Sequence, residues 1–226
     1  MRRVLMAASI VSLLSQTLWA QSTLTPTAPA DSVTGTGWEL GTRITHYTFR
    51  DDTKGTKFKG SFLGSLTKIK DDQNYAPIKV FAQYFFTPAW GAGISYEEVD
   101  AITWDGGTDG TVELAGPVVY LTGRLPDYDL VRPFAELGLA YFSASFEHNP
   151  DWYEGGRRVM DVEDSLGLSL GVGADVLFSD AWSLNVLLRY TEASVDATAK
   201  IQGDSDVDGT FVMDHFTLGL GAKYAF

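Results

Sequence analysis

From Gly37 onward the apolar residues recur at every second position, and the three-to-four spacing of a helix never appears. In 165–178 one face reads Leu166, Leu168, Leu170, Val172, Ala174, Val176, Phe178, and the other Ser165, Gly167, Ser169, Gly171, Gly173, Asp175, Leu177. In 182–197 Trp182, Leu184, Val186, Leu188 and Tyr190 alternate with Ser183, Asn185, Leu187, Arg189 and Thr191. The final stretch "FTLGLGAKYAF" sets Phe216, Leu218, Leu220, Ala222, Tyr224 and Phe226 on one face. A strand sends successive side chains to opposite faces. A soluble sheet would turn its second face to water, where rows of glycine weaken the strands. Inside a narrow barrel small residues make room for larger neighbours. The pattern predicts the Gly-rich face inside and the Leu/Val face against lipid.

Eight strands are expected, over 37–49, 77–86, 90–101, 112–125, 131–147, 165–178, 182–197 and 211–226. Their spacers alternate in length. Those at 50–76, 102–111, 148–164 and 198–210 are long, whereas 87–89, 126–130 and 179–181 are tight. Long outer loops with short periplasmic turns mark an all-β, eight-stranded antiparallel up-and-down transmembrane β-barrel. The run "KFKGSFLGSLTKI", 57–69, also alternates, but bacterial single-chain barrels have even strand numbers. Lysines crowd its ends, and it is assigned to a β-like extension of the first outer loop.

Residues 1–20 read as a signal peptide: Arg2 and Arg3, a mostly apolar stretch too short and too broken by Ser and Gln for a membrane anchor, then Ala20. Residues 21–36 read as a flexible periplasmic lead-in, and 37–226 as the barrel. There is no cysteine, so no disulfide can hold the fold. The net charge of −12 disfavours nucleic acid as a partner. No run of eighteen apolar residues follows the signal, which excludes helical spans.

Aromatic residues fall where two girdles belong. "YFFTPAWGAG" and "VLFSDAWSLN" are matching periplasmic hairpins, flanked by Phe86 and Trp90 and by Phe178 and Trp182. Trp38, Tyr224 and Phe226 join them at the lower boundary, and Tyr141, Tyr190 and Phe216 mark the upper one. Ten strand residues of roughly 3.4 Å, tilted about 45°, climb about 24 Å, the height of the apolar band.

The inward face carries the candidate site. Glu39, Arg124, Arg132, Asp175 and Lys223 fall in a lower layer, with Gln83 also inward; Arg43, Lys79, Glu97, Glu136 and Arg189 fall in an upper one. Confined charges should pair. They form either a structural plug or the gate of a polar pore. "DSDVDG" places Asp204, Asp206 and Asp208 as a calcium loop would, although its twelfth position is His215 rather than Glu. Asp214 beside His215 and the nearby His46 raise a catalytic possibility, but the two histidines fall on opposite faces and no matched Ser stands out. No enzyme activity and no cofactor are expected.

The terminal Phe with Tyr two before it resembles the recognition signal of outer-membrane barrels. "GPVVYLTGRL", "VRPFAELGLAYF", "GVGADVLFSDAWSLNVLLRY" and "MDHFTLGLGAKYAF" resemble OmpW-like small barrels and, more distantly, the OmpA-type transmembrane domain. The proline pair of the fourth strand in OmpW-like proteins stands here as Gly116-Pro117, a departure. The resemblance implies residence in a Gram-negative outer membrane, among lipids and lipopolysaccharide, with the C-terminal strand offered to the barrel-assembly machinery. It implies passive passage of small, often hydrophobic solutes. The other reading is a structural or surface-interaction barrel with a lumen sealed by ion pairs. A peptidoglycan-binding domain of the OmpA kind is not expected.

Overall fold

The computed structural model describes residues 36–50, 68–71, 75–104, 108–126, 128–153, 155–203 and 205–226. The signal peptide, nearly all of the lead-in and residues 57–67 of the alternating run lie outside the described residues. The elements, in order, are β1 (Gly37–Phe49), β2 (Lys68–Asp71), β3 (Tyr75–Phe85), β4 (Trp90–Trp104), β5 (Thr108–Arg124) and β6 (Val131–His148). They continue with α1 (Pro150–Tyr153), β7 (Arg158–Val162), β8 (Ser165–Leu177), β9 (Trp182–Glu192), β10 (Ser194–Ile201), β11 (Val207–Val212) and β12 (His215–Ala225).

Eight strands close on themselves: β1, β3, β4, β5, β6, β8, β9 and β12, which returns to β1. Every pairing is antiparallel. Closure is what lipid demands, because backbone N–H and C=O groups find no water there and must pair within the wall. The C-terminal segment completes it, with β12 lying between β1 and β9. The Phe226 amide donates to Trp38 O at 3.0 Å and the Ala225 amide to Ala181 O at 2.8 Å.

The two faces have opposite characters. Leu168, Val172, Leu184 and Leu188 point outward and are about half exposed, as lipid-facing residues are once the lipid is left out. The inward glycines make room for rings. A methyl group at Gly41 would stand 2.3 Å from the Phe81 ring, at Gly93 2.5 Å from Tyr120, and at Gly173 2.4 Å from Phe134. Small and large residues therefore interlock across neighbouring strands, as a barrel this narrow requires.

Beyond the last long hairpin of the wall the chain does not run on as two unbroken strands. The expected strands 182–197 and 211–226 each split. β9 ends at Glu192 and β12 begins at His215, while β10 and β11 carry the same register upward, and β10 pairs on its other side with β7 to make a three-stranded outer sheet. At the break the Asp214 carboxylate accepts the Ala193 amide at 3.2 Å, and the Met213 amide donates to Ala193 O at 2.9 Å. An acid next to a strand end thus takes over bonds that the ladder drops.

The described end of the 57–69 run, Lys68 and Ile69, opens β2. It pairs with the top of β4, from Lys68 opposite Trp104 to Asp71 opposite Ala101, and is not a ninth wall strand. Between β2 and the lower part of β3 the wall parts. The β3–β4 ladder runs only from Phe85 opposite Gly91 to Phe81 opposite Ser95, and above it β3 follows β1 through a register shift between Arg43 and Thr45. β4 stays paired with β5 along its whole length.

The β5–β6 ladder passes over Gly116 and Pro117 without losing register. Proline has no N–H to give, and a Cβ on Gly116 would stand 1.9 Å from Tyr141 O. At Gly221 it would stand 1.8 Å from Thr42 O. Gly116→Ala and Gly221→Ala should each cost about 1–3 kcal/mol through forced backbone movement. A Cβ at Gly219 meets no backbone atom and nothing nearer than the Arg43 side chain at 3.2 Å, so Gly219→Ala should cost less. Urea titration in detergent micelles, read by heat-modifiable gel mobility, ranks the three.

Candidate functional site

Inside the wall the charges form two connected clusters. In the lower one Glu39 holds Arg124 and, at 2.9 Å, Lys223. Lys223 also pairs with Asp175, and Gln83 donates to Glu39 at 2.7 Å. In the upper one Arg189 reaches Glu97 at 2.6 Å and Glu136 at 2.7 Å, with Ser95 accepting at 3.2 Å. Arg43 lies 3.7 Å from Glu136. All of these charged side chains are at least nine-tenths buried.

Asn185 joins the two clusters. Its Nδ2 donates to Asp175 at 2.6 Å, and its Oδ1 accepts from Arg43 Nε at the same distance. A search for charges alone passes over it, although its place on the inward face between Ser183 and Leu187 was visible. Aromatic rings are the other missed partners. The Arg124 guanidinium lies 3.4 Å from the centre of Phe85, Arg43 3.8 Å from Phe81, and Arg189 5.4 Å from Tyr120. Those rings occupy the space left by the inward glycines, so the packing of the wall and the placing of the charges share one cause.

Two expected members remain. Arg132 is half-buried at the lower rim, opposite Asp175 of the lower cluster in the β6–β8 register. Lys79 is a correction: its ammonium pairs with Glu98 and not with an upper-layer acid. The cause is the parted seam, across which the pair reaches. Above the charged clusters the interior turns apolar, with Tyr47, Val99, Val112, Leu114, Phe142, Val195, Phe211 and Met213 packed together.

At the seam a small, open-mouthed pocket lies between β3 and β4. Its more exposed lining is Lys79, Val80, Tyr96 and Glu98, and its buried floor includes Arg43 and Arg189. The Tyr47 hydroxyl crosses to β4, accepting from the Asp100 amide and donating to the Asp100 carbonyl, both at 3.2 Å. One phenol thereby replaces a missing strand at that residue.

The aromatic residues line the lipid face at both ends. At the lower end Trp182 packs on Tyr224 with ring centres 4.9 Å apart, Tyr224 on Phe226 at 4.9 Å, and Trp38 on Tyr84 at 5.2 Å. Phe86, Trp90 and Phe178 are exposed beside the short turns. At the upper end Tyr190 packs on Phe216 at 5.1 Å, and Tyr141 and Tyr96 are half exposed. Tyr96 was overlooked because it begins an acidic stretch.

The acidic "DSDVDG" loop falls only in part on the described residues. Asp204 lies outside the described residues, Asp206 is exposed, and Asp208 accepts from Thr198 Oγ1 at 2.9 Å within the outer sheet. No group of three metal-ligating side chains occurs among the described residues. His46 and His215 lie on opposite faces of the wall, His215 fully buried with its Nδ1 2.8 Å from Met213 O.

Residues 17–226 match the family described as outer membrane protein beta-barrel domain. The chain belongs to that family. Its place is the bacterial outer membrane. It is 23% identical to the outer-membrane protein y4mB of Sinorhizobium fredii over 216 residues, 92% of this chain and 89% of that one. It is 33% identical to Outer membrane protein W of Vibrio cholerae over 84 residues, 36% of this chain and 37% of that one. The crystal structure of OprG from Pseudomonas aeruginosa superposes with a TM-score of 0.68 at 16% identity, covering 84% of this chain and 96% of that one. The fold is that of an OmpW-like small barrel.

Two predictions follow from the site. Glu136→Gln takes the carboxylate from Arg43 and leaves Arg189 with Glu97 alone, and should cost about 3–5 kcal/mol, whereas Lys79→Met, at the partly exposed Lys79–Glu98 pair, should cost less than about 1 kcal/mol. Urea midpoints of the two variants decide it. The second concerns the outer sheet. His148 Nε2 accepts the Met160 amide at 2.8 Å, and burial pushes the imidazole below its ordinary value against the opposing pull of Asp161. The folded state then favours neutral His148, so its contribution is full above about pH 6.5 and falls away as the pH drops below that. Protease cleavage between β6 and β8 should rise on acidification, and His148→Gln should flatten that rise.

Proposed function

We propose that this barrel is a passive route for small apolar solutes that enter from the loop side and leave sideways, through the seam between β3 and β4, into the membrane. The observation that carries the reading is the end of the β3–β4 ladder at Phe81 and Ser95. It falls at the level where the interior changes from apolar packing above to ion pairs below. An apolar solute entering from the loop side has to part the apolar packing around Val99, and below it meets a layer of buried charge that it cannot solvate. The side exit, bordered by Val80 and Tyr96, is the path of lower cost.

The same arrangement accounts for the other expectation, a lumen closed by ion pairs. Ions crossing along the axis would have to separate Arg189 from Glu97 and Glu136, and Glu39 from Arg124 and Lys223. Breaking such buried pairs is expensive. The route is therefore closed along its axis and open at its side. No step in it calls for a catalytic group. OprG and Outer membrane protein W are outer-membrane proteins by name, which supports the setting and leaves the solute to be argued from the seam.

The test uses vesicles with a lipopolysaccharide outer leaflet and N-phenyl-1-naphthylamine as the apolar probe. Wild-type protein should speed probe influx several-fold over protein-free vesicles while planar-bilayer conductance stays at baseline. Val80→Trp, which fills the seam from its lipid-facing side, should remove most of the gain. Influx equal to that of protein-free vesicles would favour the structural or surface-interaction reading instead.

A further inference from the structure

The seam carries a further inference, resting on the reading above, about the chemical class of the solute. Lys79 and Glu98 face each other across it, and their exposures differ: 11% for the lysine side chain against 43% for the glutamate. The cation is held inside and the anion lies at the rim. Among the charged groups lining the pocket, Arg43, Lys79 and Arg189 outnumber Glu97 and Glu98. Glu97 is fixed on Arg189 at 2.6 Å, and Arg43 faces Glu136 and Asn185. Lys79 is thus the cation whose partner can leave.

We propose that the seam binds small carboxylic acids in their anionic form, the ligand carboxylate replacing Glu98 on Lys79 and the hydrocarbon tail lying against Val80 and Val99. Glu98, the more exposed member of the pair, swings away from Lys79, and the lysine never loses an anion. The Tyr96 ring, 5.6 Å from the ammonium, presents its face to the cation throughout the exchange. Tyr47 holds the Asp100 backbone, so the β4 edge stays in place while Glu98, two residues away, moves. A neutral solute brings nothing to exchange. A cationic one meets the lysine. The seam therefore ranks an apolar acid above the alcohol of equal chain length.

Equilibrium binding of octanoate and octanol at pH 8, to the protein in phosphatidylcholine nanodiscs with empty nanodiscs subtracted, tests this. Wild type should bind octanoate saturably and about tenfold more tightly than octanol, a difference typical of one charge-assisted contact. Glu98→Gln removes the internal competitor and should tighten octanoate binding further without changing octanol. Lys79→Met should bring octanoate down to the octanol level. Heat-modifiable mobility of both variants checks that they fold. Equal binding of the two ligands by wild type, or octanoate binding unchanged in Lys79→Met, would overturn the proposal. The two readings fail separately: probe influx without octanoate preference leaves the side route standing, whereas octanoate binding without Val80-sensitive influx leaves a site and no route.

Discussion

A β-wall in lipid must satisfy its own backbone, and every other feature of this protein answers to that requirement. Closing eight strands hides the backbone but leaves an interior barely wide enough for side chains. Here it is filled by rings set against glycines, and by cations laid on those rings and tied to buried acids. Charge is affordable inside because each guanidinium has both a carboxylate and an aromatic face. The lipid side can then be mostly apolar, since the paired charges have no need to escape through it.

Against that background the parted seam is the place where the requirement is relaxed. In an antiparallel strand the N–H and C=O of one residue point to the same neighbour, and successive residues alternate. Trp90 O accepts from the Phe86 amide beside β3, and Asp100 turns to Tyr47 on the same side. Tyr96 and Glu98, of the same parity, therefore aim their backbone groups at the seam, where β3 offers no ladder partner. A wall that gives up strand pairing beside a buried ion cluster calls for a reason, and the sideways release proposed above would supply one. Fold relatives at low identity establish the barrel; this residue-level arrangement is what argues for the route.

Much of this was legible in the sequence because a strand's period is short and its consequences are strict. The Leu166–Phe178 face and its Gly-rich opposite already showed which side meets lipid, and the tight turns at 87–89 and 179–181 already marked one end of the wall. The layering of Glu39, Asp175 and Lys223 below Arg43, Glu136 and Arg189 followed from counting strand positions. Other features depended on register, which a single strand does not reveal. Lys79 has inward parity, yet the shift between Arg43 and Thr45 carries it to Glu98. The break at Ala193 and Asp214 was invisible because alternation continues through it into β10 and β11. Asn185 was passed over because a neutral amide bears no charge to count.

Amide hydrogen exchange along β4 in lipid bilayers tests the central claim most directly. The amides of Ala92 and Ile94, which face the intact part of the β3–β4 ladder, should be strongly protected, and those of Tyr96 and Glu98 should exchange far faster. Protection at Tyr96 and Glu98 equal to that at Ile94 would mean that the wall is continuous there, and the side route would have no door.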